Sequence, residues 1–329
     1  MRPTEVYDSY WGFAAERLAM YYRKQENSEG PWTNDPVLAK FRFTNTYRAA
    51  DRVSQYLIGE VQYASCRSQA PADLFFRTLL FKLFNRIETW EAIESAVGPV
   101  DWRQGILDKI EPVLDRLMRH GQRIYSAAYI MPAPRLGGVR KHANHLALIK
   151  QMMDDRLADR LRQAPDLATT YEMLLRYPGL GRFLAFQYAI DLNYSELLDF
   201  SESSFVVAGP GAIDGISKCF EDYARYRPED IIYEMTKRQN GEFRRLGLTF
   251  SGLHGRPLQP IDCQNLFCEV SKYARVAHPE VRGTAERTRI KQVYKPSARP
   301  MFTPMYPPKW NLRIDKVVAP RRDVQTALL

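Results

Sequence analysis

Apolar and polar positions recur with a helical period through most of the chain. Residues 7–26 carry apolar and aromatic side chains at that spacing, and Asn27-Ser28-Glu29-Gly30-Pro31 then breaks the run. Residues 48–63 put Val53, Tyr56, Leu57 and Val61 on one stripe with polar residues opposite. The most apolar segment is 71–84, with Leu74, Phe75, Leu79, Leu80 and Leu83, and it predicts a central core helix. The pattern continues over 90–97 and 102–120. Residues 131–138 (MPAPRLGG) read as a loop and as the hinge between halves. Helices are predicted again over 144–163, 167–176, 182–192 and 213–226. A polar, glycine-containing stretch over 240–260 predicts a short hairpin, and a last helix covers 263–276. With no βαβ alternation and no regularly spaced strands, the expected class is all-α or nearly so. The expected organisation is an N-terminal helical region (1–135), a second helical region (136–281) and an extended tail (282–329).

Composition narrows the class. With 45% hydrophobic residues in 329, the chain can bury a large core, which excludes disorder throughout. Four cysteines (Cys66, Cys219, Cys263, Cys268) without a CxxC pair suit reduced thiols better than a disulfide framework or a zinc site. The five histidines are scattered; His142 and His145 can share a helix face but have no third ligand, so no metal is expected. The first residues lack an apolar signal core, and no stretch of 18 residues is free of charge, so a cytoplasmic protein is expected.

Charge changes the picture more than composition does. The net charge is +9, and residues 282–329 hold eleven Lys/Arg against three acids, so nearly all the excess sits in the tail. Six of the 21 prolines and Tyr294, Phe302, Tyr306 and Trp310 lie there too. A basic, proline-rich, aromatic-dotted segment cannot form a long helix, and it can carry charge to a polyanion, with nucleic acid the favoured partner. A solvated tail that only aids solubility is the alternative.

Motifs exclude more than they assign. GxxxxGK[ST] and GxSxG are both missing, so neither a phosphate-binding loop nor a nucleophile elbow is encoded. No cofactor is implied, and catalysis would rest on carboxylates and amides. The run LLRYPGLGRFLA (174–185) reads as helix, Pro-Gly-x-Gly hairpin, helix. Gly179 and Gly181 would let the backbone approach a phosphate, with Arg182 opening the second helix, as in a helix-hairpin-helix DNA-binding element. An ordinary corner is equally compatible. A second glycine-rich helix start, GPGAIDGISK (209–218), holds Asp214 and Lys218. Over 260–275, Asp262, Asn265, Glu269 and Lys272 line one helix face, beside Gln264, in a density suited to reading a base edge and holding a water. Asp262 is also a plausible N-cap. Residues 41–57 place Arg48, Asp51, Arg52 and Gln55 on adjacent turns after Thr44-Asn45; a solvated ion-paired face is the alternative.

Together, FRFTNTYRAADRVSQYL (41–57), AGPGAIDGI (208–216) and IDCQNLFCEVSKYAR (261–275) resemble the α-glutamyl/putrescinyl-thymine pyrophosphorylase-like family. That family includes the helical domain attached to phage 5-hydroxymethyluracil DNA kinases. The resemblance implies a relative of the helix-hairpin-helix DNA glycosylases, with double-stranded DNA carrying modified pyrimidines as partner. It leads to the expectation of a monomeric N-glycosylase without lyase activity, excising a bulky modified pyrimidine in antiviral defence. Asp262 ranks first and Asp214 second as catalytic groups. Asn45, Arg48, Asp51, Arg52, Gln264, Asn265 and Glu269 would form the base pocket. Gly179, Gly181, Arg182, Lys218, Arg289 and Lys291 would bind DNA. A phage hypermodification factor acting on hydroxymethyluracil-derived bases is the alternative, and a non-catalytic DNA-binding module the second.

Overall fold

The structure, a computed structural model, describes residues 1–27, 29–127, 131–296 and 301–314. Its helices in chain order are α1 (Glu5–Glu26), α2 (Pro36–Lys40), α3 (Arg52–Tyr56), α4 (Pro71–Phe84), α5 (Ile87–Val97), α6 (Ile106–Arg119) and α7 (Lys141–Asp154), then α8 (Leu157–Arg162), α9 (Leu167–Leu175), α10 (Arg182–Tyr194), α11 (Pro210–Cys219), α12 (Pro228–Arg245) and α13 (Pro260–Ala277). Among the described residues, extended pairing is limited to isolated bridges, so the protein is all-α. No described helix is long and apolar enough to cross a membrane.

The chain divides into two compact units that interleave in sequence. Among the described residues, one comprises those within 1–51 and 202–304 together with 311–314; the other comprises those within 52–201 together with 305–310. In the first, α13 packs against α11, α1, α12 and α2. Helix α1 is buried almost throughout, from Val6 to Arg23, and its N-cap Thr4 accepts from the Val6 amide. Rings interlock along it. Trp11 meets Phe243 edge-on at 5.2 Å, Phe243 stacks on Phe250 at 4.0 Å, and Tyr10 meets Phe267 at 4.7 Å. Helix α11 packs closely on α13, where Gly215 leaves room for the Phe267 carbonyl.

In the second unit α4 is the core helix, matching its expected limits, with Phe75, Phe76, Leu79, Leu80 and Phe81 buried against neighbouring helices. The expected continuous helix over 48–63 is broken. Arg48–Ala50 is a 3₁₀ turn, Asp51 is extended, α3 lasts five residues, and Leu57–Gln62 is π-helical. The physical cause at the break is local. The Asp51 carboxylate accepts from the Asn45 amide at 2.7 Å, which draws it out of helical geometry. The expected helix over 144–163 is likewise split, at Arg156 in a left-handed conformation. Over 240–260 the expected hairpin reduces to a single bridge, Leu253 with Arg256, because α12 occupies residues up to Arg245.

Candidate functional site

The first unit holds a polar cluster where α1, residues 43–51 and α13 meet. Pro260 opens α13 without needing an amide donor, and Gln259 and Asp262 close a reciprocal capping box. Both carboxylate oxygens of Asp262 are engaged: one accepts from the Gln259 amide at 3.0 Å, the other from the Arg48 amide at 3.3 Å. One turn on, the Asn265 amide donates to Thr44 Oγ1 and to the Asn45 carbonyl. Another turn on, Glu269 accepts from the Thr44 amide at 3.0 Å and from Lys272 Nζ at 2.7 Å. The face of α13 read in sequence therefore holds the 44–51 turn in place.

Charge under this turn is dense. Arg17 and Arg48 are buried, and Glu202, also buried, pairs with Arg256 at 3.3 Å. Arg17 Nη1 is buried with no hydrogen-bond partner among the described residues, and its side chain otherwise donates to the Phe43 carbonyl. Burial is the main influence on Asp262, whose carboxyl is pushed up to about 7, with Glu202 adding to the rise and the Gln259 and Arg48 amides and Arg256 opposing it. Sequence position alone points the other way, since a helix N-terminus favours the ionised form; desolvation outweighs it here. Asp51 is also raised to about 7, first by burial and further by Glu269, against the Asn45 amide, Arg17 and Arg48.

An acid whose folded pKa lies above its unfolded value binds more protons when folded. Its contribution to stability is therefore fully present at low pH and is lost as pH rises from 3.8 to about 7. Relative to Asp262→Asn, the native protein is expected to lose stability across that window and to hold a constant difference above it. Urea midpoints of both proteins at about pH 4.5, 6 and 7.5 check this; a difference independent of pH would contradict the burial.

The other residues singled out in sequence fall elsewhere. Asp214 is buried and accepts from Ser271 Oγ and from the Ala285 amide, with Lys218 Nζ 3.5 Å away. Lys218, buried, donates to the Ser271 carbonyl at 2.8 Å. This second cluster tethers residues 283–285 to α11 and α13. Gln264 turns to Cys268, its amide 3.2 Å from the sulfur. Arg52, Gly179, Gly181 and Arg182 belong to the second unit. There Gly179 has φ +86° and sits against Pro132 and Pro134, whereas a side chain at Gly181 would meet open space. Arg289 and Lys291 are exposed on the first unit. Of the tail, Lys309 donates to the Ser195 and Leu198 carbonyls and Trp310 meets Tyr194 edge-on, which makes this part packing. Arg299, Lys316, Arg321 and Arg322 lie outside the described residues.

Sequence reasoning missed Arg17, Glu202 and Arg256. Arg17 had a signal: with Glu16 and Arg23 it interrupts an otherwise apolar and aromatic helix, and Arg23 meets Glu16 at 2.9 Å inside the fold. His278, read as scattered, lies with Glu5 and Glu280 close enough for their ligand atoms to share an ion, both glutamates being exposed. A surface cleft of about 300 Å³, lined among others by Tyr7, Arg238, Glu242 and Arg245, contains none of the cluster residues.

Fold and cluster define an all-helical domain with a built polar centre and no nucleotide-phosphate loop in its sequence. A family model described as the helical domain of 5-hmdU DNA kinase matches residues 4–283, and the chain belongs to that family. It is similar to a Bacillus phage SP10 protein named 5-hmdU DNA kinase, with 27% identity over 289 residues. The match covers 82% of this chain and 45% of the relative, so the chain spans less than half of that protein's length. No solved structure is significantly similar to it. The expectation of an N-glycosylase is overturned by these relatives. Both descriptions name a DNA kinase, which is a transferase, and neither names a hydrolase of N-glycosyl bonds.

Proposed function

We propose that this chain serves the hypermodification of DNA bases, recognising 5-hydroxymethyluracil or a base derived from it. The observation that carries the reading is the asymmetry of the cluster. Its floor is buried charge, including the unpartnered Arg17 nitrogen, while Thr44, Asn45, Asp51, Asn265 and Lys272 are only partly covered at its rim. A base edge bearing a hydroxymethyl group offers donors and acceptors together. Amides and a carboxyl poised near neutrality can answer both, since a protonated carboxyl donates and an ionised one accepts. Reaching a base edge at such a rim requires the base to leave the stack. Family membership and the named activity of the phage relative support the substrate class. Phosphoryl transfer is not assigned to these residues, because they carry no P-loop sequence.

The test is binding to DNA strands that differ at one position, thymine against 5-hydroxymethyluracil. The native protein is expected to prefer the hydroxymethylated strand by about tenfold, the scale of one good base-edge pairing. Asn265→Ala and Asp51→Asn should lose that preference while keeping their affinity for the thymine strand. Nucleosides recovered afterwards show whether the base is altered while still attached or only bound. Equal affinity of the native protein for both strands would sink the reading.

A further inference from the structure

The residues that follow the Asp214 tether form a basic strap. Gly283 lies over Asp214 and Lys218, the Thr284 amide bonds Ser217 Oγ at 3.1 Å, and the Ala285 amide bonds Asp214 at 2.6 Å. From 286 to 292 the chain runs without helix or turn, with Ile290 buried and its neighbours exposed. It then pairs antiparallel with the segment after α2. The Arg42 amide donates to the Gln292 carbonyl at 2.9 Å, the Tyr294 amide to the Lys40 carbonyl at 3.0 Å, and Phe41 bridges Val293. Tyr294 meets Trp32 edge-on at 6.3 Å, and Lys24 Nζ lies 4.5 Å from both rings.

The strap and the 40–42 segment that it bridges at its end, together called the ribbon, concentrate positive charge that the fold leaves to solvent. Lys40, Arg42, Arg287, Arg289, Lys291 and Lys295 are exposed, and none joins an ion pair among the described residues. Glu286 is the acid of the strap. Arg287, Arg289 and Lys291 stand at alternate positions, which in an extended chain recur every ~6.6 Å on one side. The ribbon is tied down by Asp214, by Ile290 and by the pairing with 40–42, so little ordering remains to oppose binding. It leads into the cluster by chain continuity: Arg42 is two residues from Thr44, whose amide Glu269 holds.

We propose that the ribbon of residues 40–42 and 286–294 is the track on which the first unit holds the phosphate backbone of one DNA strand. Arg42, Arg287, Arg289 and Lys291 make the phosphate contacts, so that a base of that strand is offered to the 44–51 turn. The inference rests on the reading of a DNA partner above. Its charge pattern repeats along a line, as phosphates do, and this favours nucleic acid over an acidic protein patch.

The experiment measures the salt dependence of affinity for a thymine oligonucleotide, using the full chain. Replacing Arg287, Arg289 and Lys291 together by Gln is expected to lower the slope of log affinity against log salt by about 2, at roughly 0.7 per lost single-strand contact. A control with Arg225, Lys237 and Arg244, which are exposed elsewhere on the same unit, changed to Gln removes the same charge. It should leave the slope within about 0.5 of the native value, since no contact is lost. Equal slopes for the native protein and the ribbon variant, or an equal fall in the control, would overturn the proposal. Base preference is scored separately. A reduced slope with no preference for hydroxymethyluracil keeps the track and rejects the base reading, and an unchanged slope with intact preference does the reverse.

Discussion

Gly215→Ala is expected to destabilise the first unit by about 3 kcal/mol or more, the upper end of what overpacking costs. Gly215 lies inside α11, where helix propensity by itself would make alanine about 1 kcal/mol better than glycine. The sign reverses because an added methyl would overlap the carbonyl of Phe267 on α13. The obstacle is backbone, so no rotamer change relieves it, and the two helices must separate. Gly241 in α12 is the matched control. A methyl there meets nothing within 4 Å, and Gly241→Ala is expected to stabilise by roughly 0.5–1 kcal/mol. Urea unfolding of the three proteins decides it; a stable Gly215→Ala protein would mean that α11 and α13 do not approach as described.

The second large effect lies in the other unit. Lys82 on α4 and Asp191 on α10 form an ion pair of 2.9 Å with side chains 5% and 0% exposed. Gln62, from the π-helical turn, donates to the Asp191 carbonyl and to Thr78 beside them. Removing one partner strands a charge in a core that cannot hydrate it. Lys82→Met or Asp191→Leu alone is therefore expected to cost about 3–5 kcal/mol. The double replacement should recover most of that loss, since two apolar side chains remove both desolvation costs together. A double-mutant cycle measures the coupling. Additive losses would show that the two charges do not depend on each other.

Legibility varied with the range of the cause. Helix α4 is readable to the residue because Pro71 at its first position and Asn85 in a left-handed cap mark its ends, with an apolar stripe between. Helix α12 carries the same kinds of marks yet was not expected. Pro228 opens it, Glu229 and Asp230 lie in its first turn, Arg244 and Arg245 in its last, and Ile231, Met235, Gln239 and Phe243 are buried at intervals of four. Its low overall hydrophobicity obscured a narrow stripe. The break at Asp51 was invisible because it depends on the carboxylate of Asp51 reaching back to Asn45, a choice that helical spacing does not report.

Within the cluster, sequence reading placed Asp262, Asn265 and Glu269 on one helix face, and they do share it. What they face was not readable. Their partners, Thr44, Asn45 and Arg48, lie more than 200 residues away along the chain. A helix N-terminus, a local term, would by itself favour the ionised form of Asp262. Its proton affinity is governed by what covers it, and Glu202 and Arg256 are brought there by the fold.

The amino-acid sequence by itself determined the all-helical class, the helices whose caps and stripes agree, the concentration of positive charge after residue 282 and the family to which the chain belongs. All of these are carried by local patterns or by similarity along the chain. The tertiary structure decided which carboxylates are desolvated, that Gly215 lies against the α13 backbone, that the two units interleave along the chain, and that Asp214 and Lys218 face inward to hold a strap. Each of these depends on contacts between residues far apart in sequence, and local periodicity specifies that a face is buried without specifying what buries it.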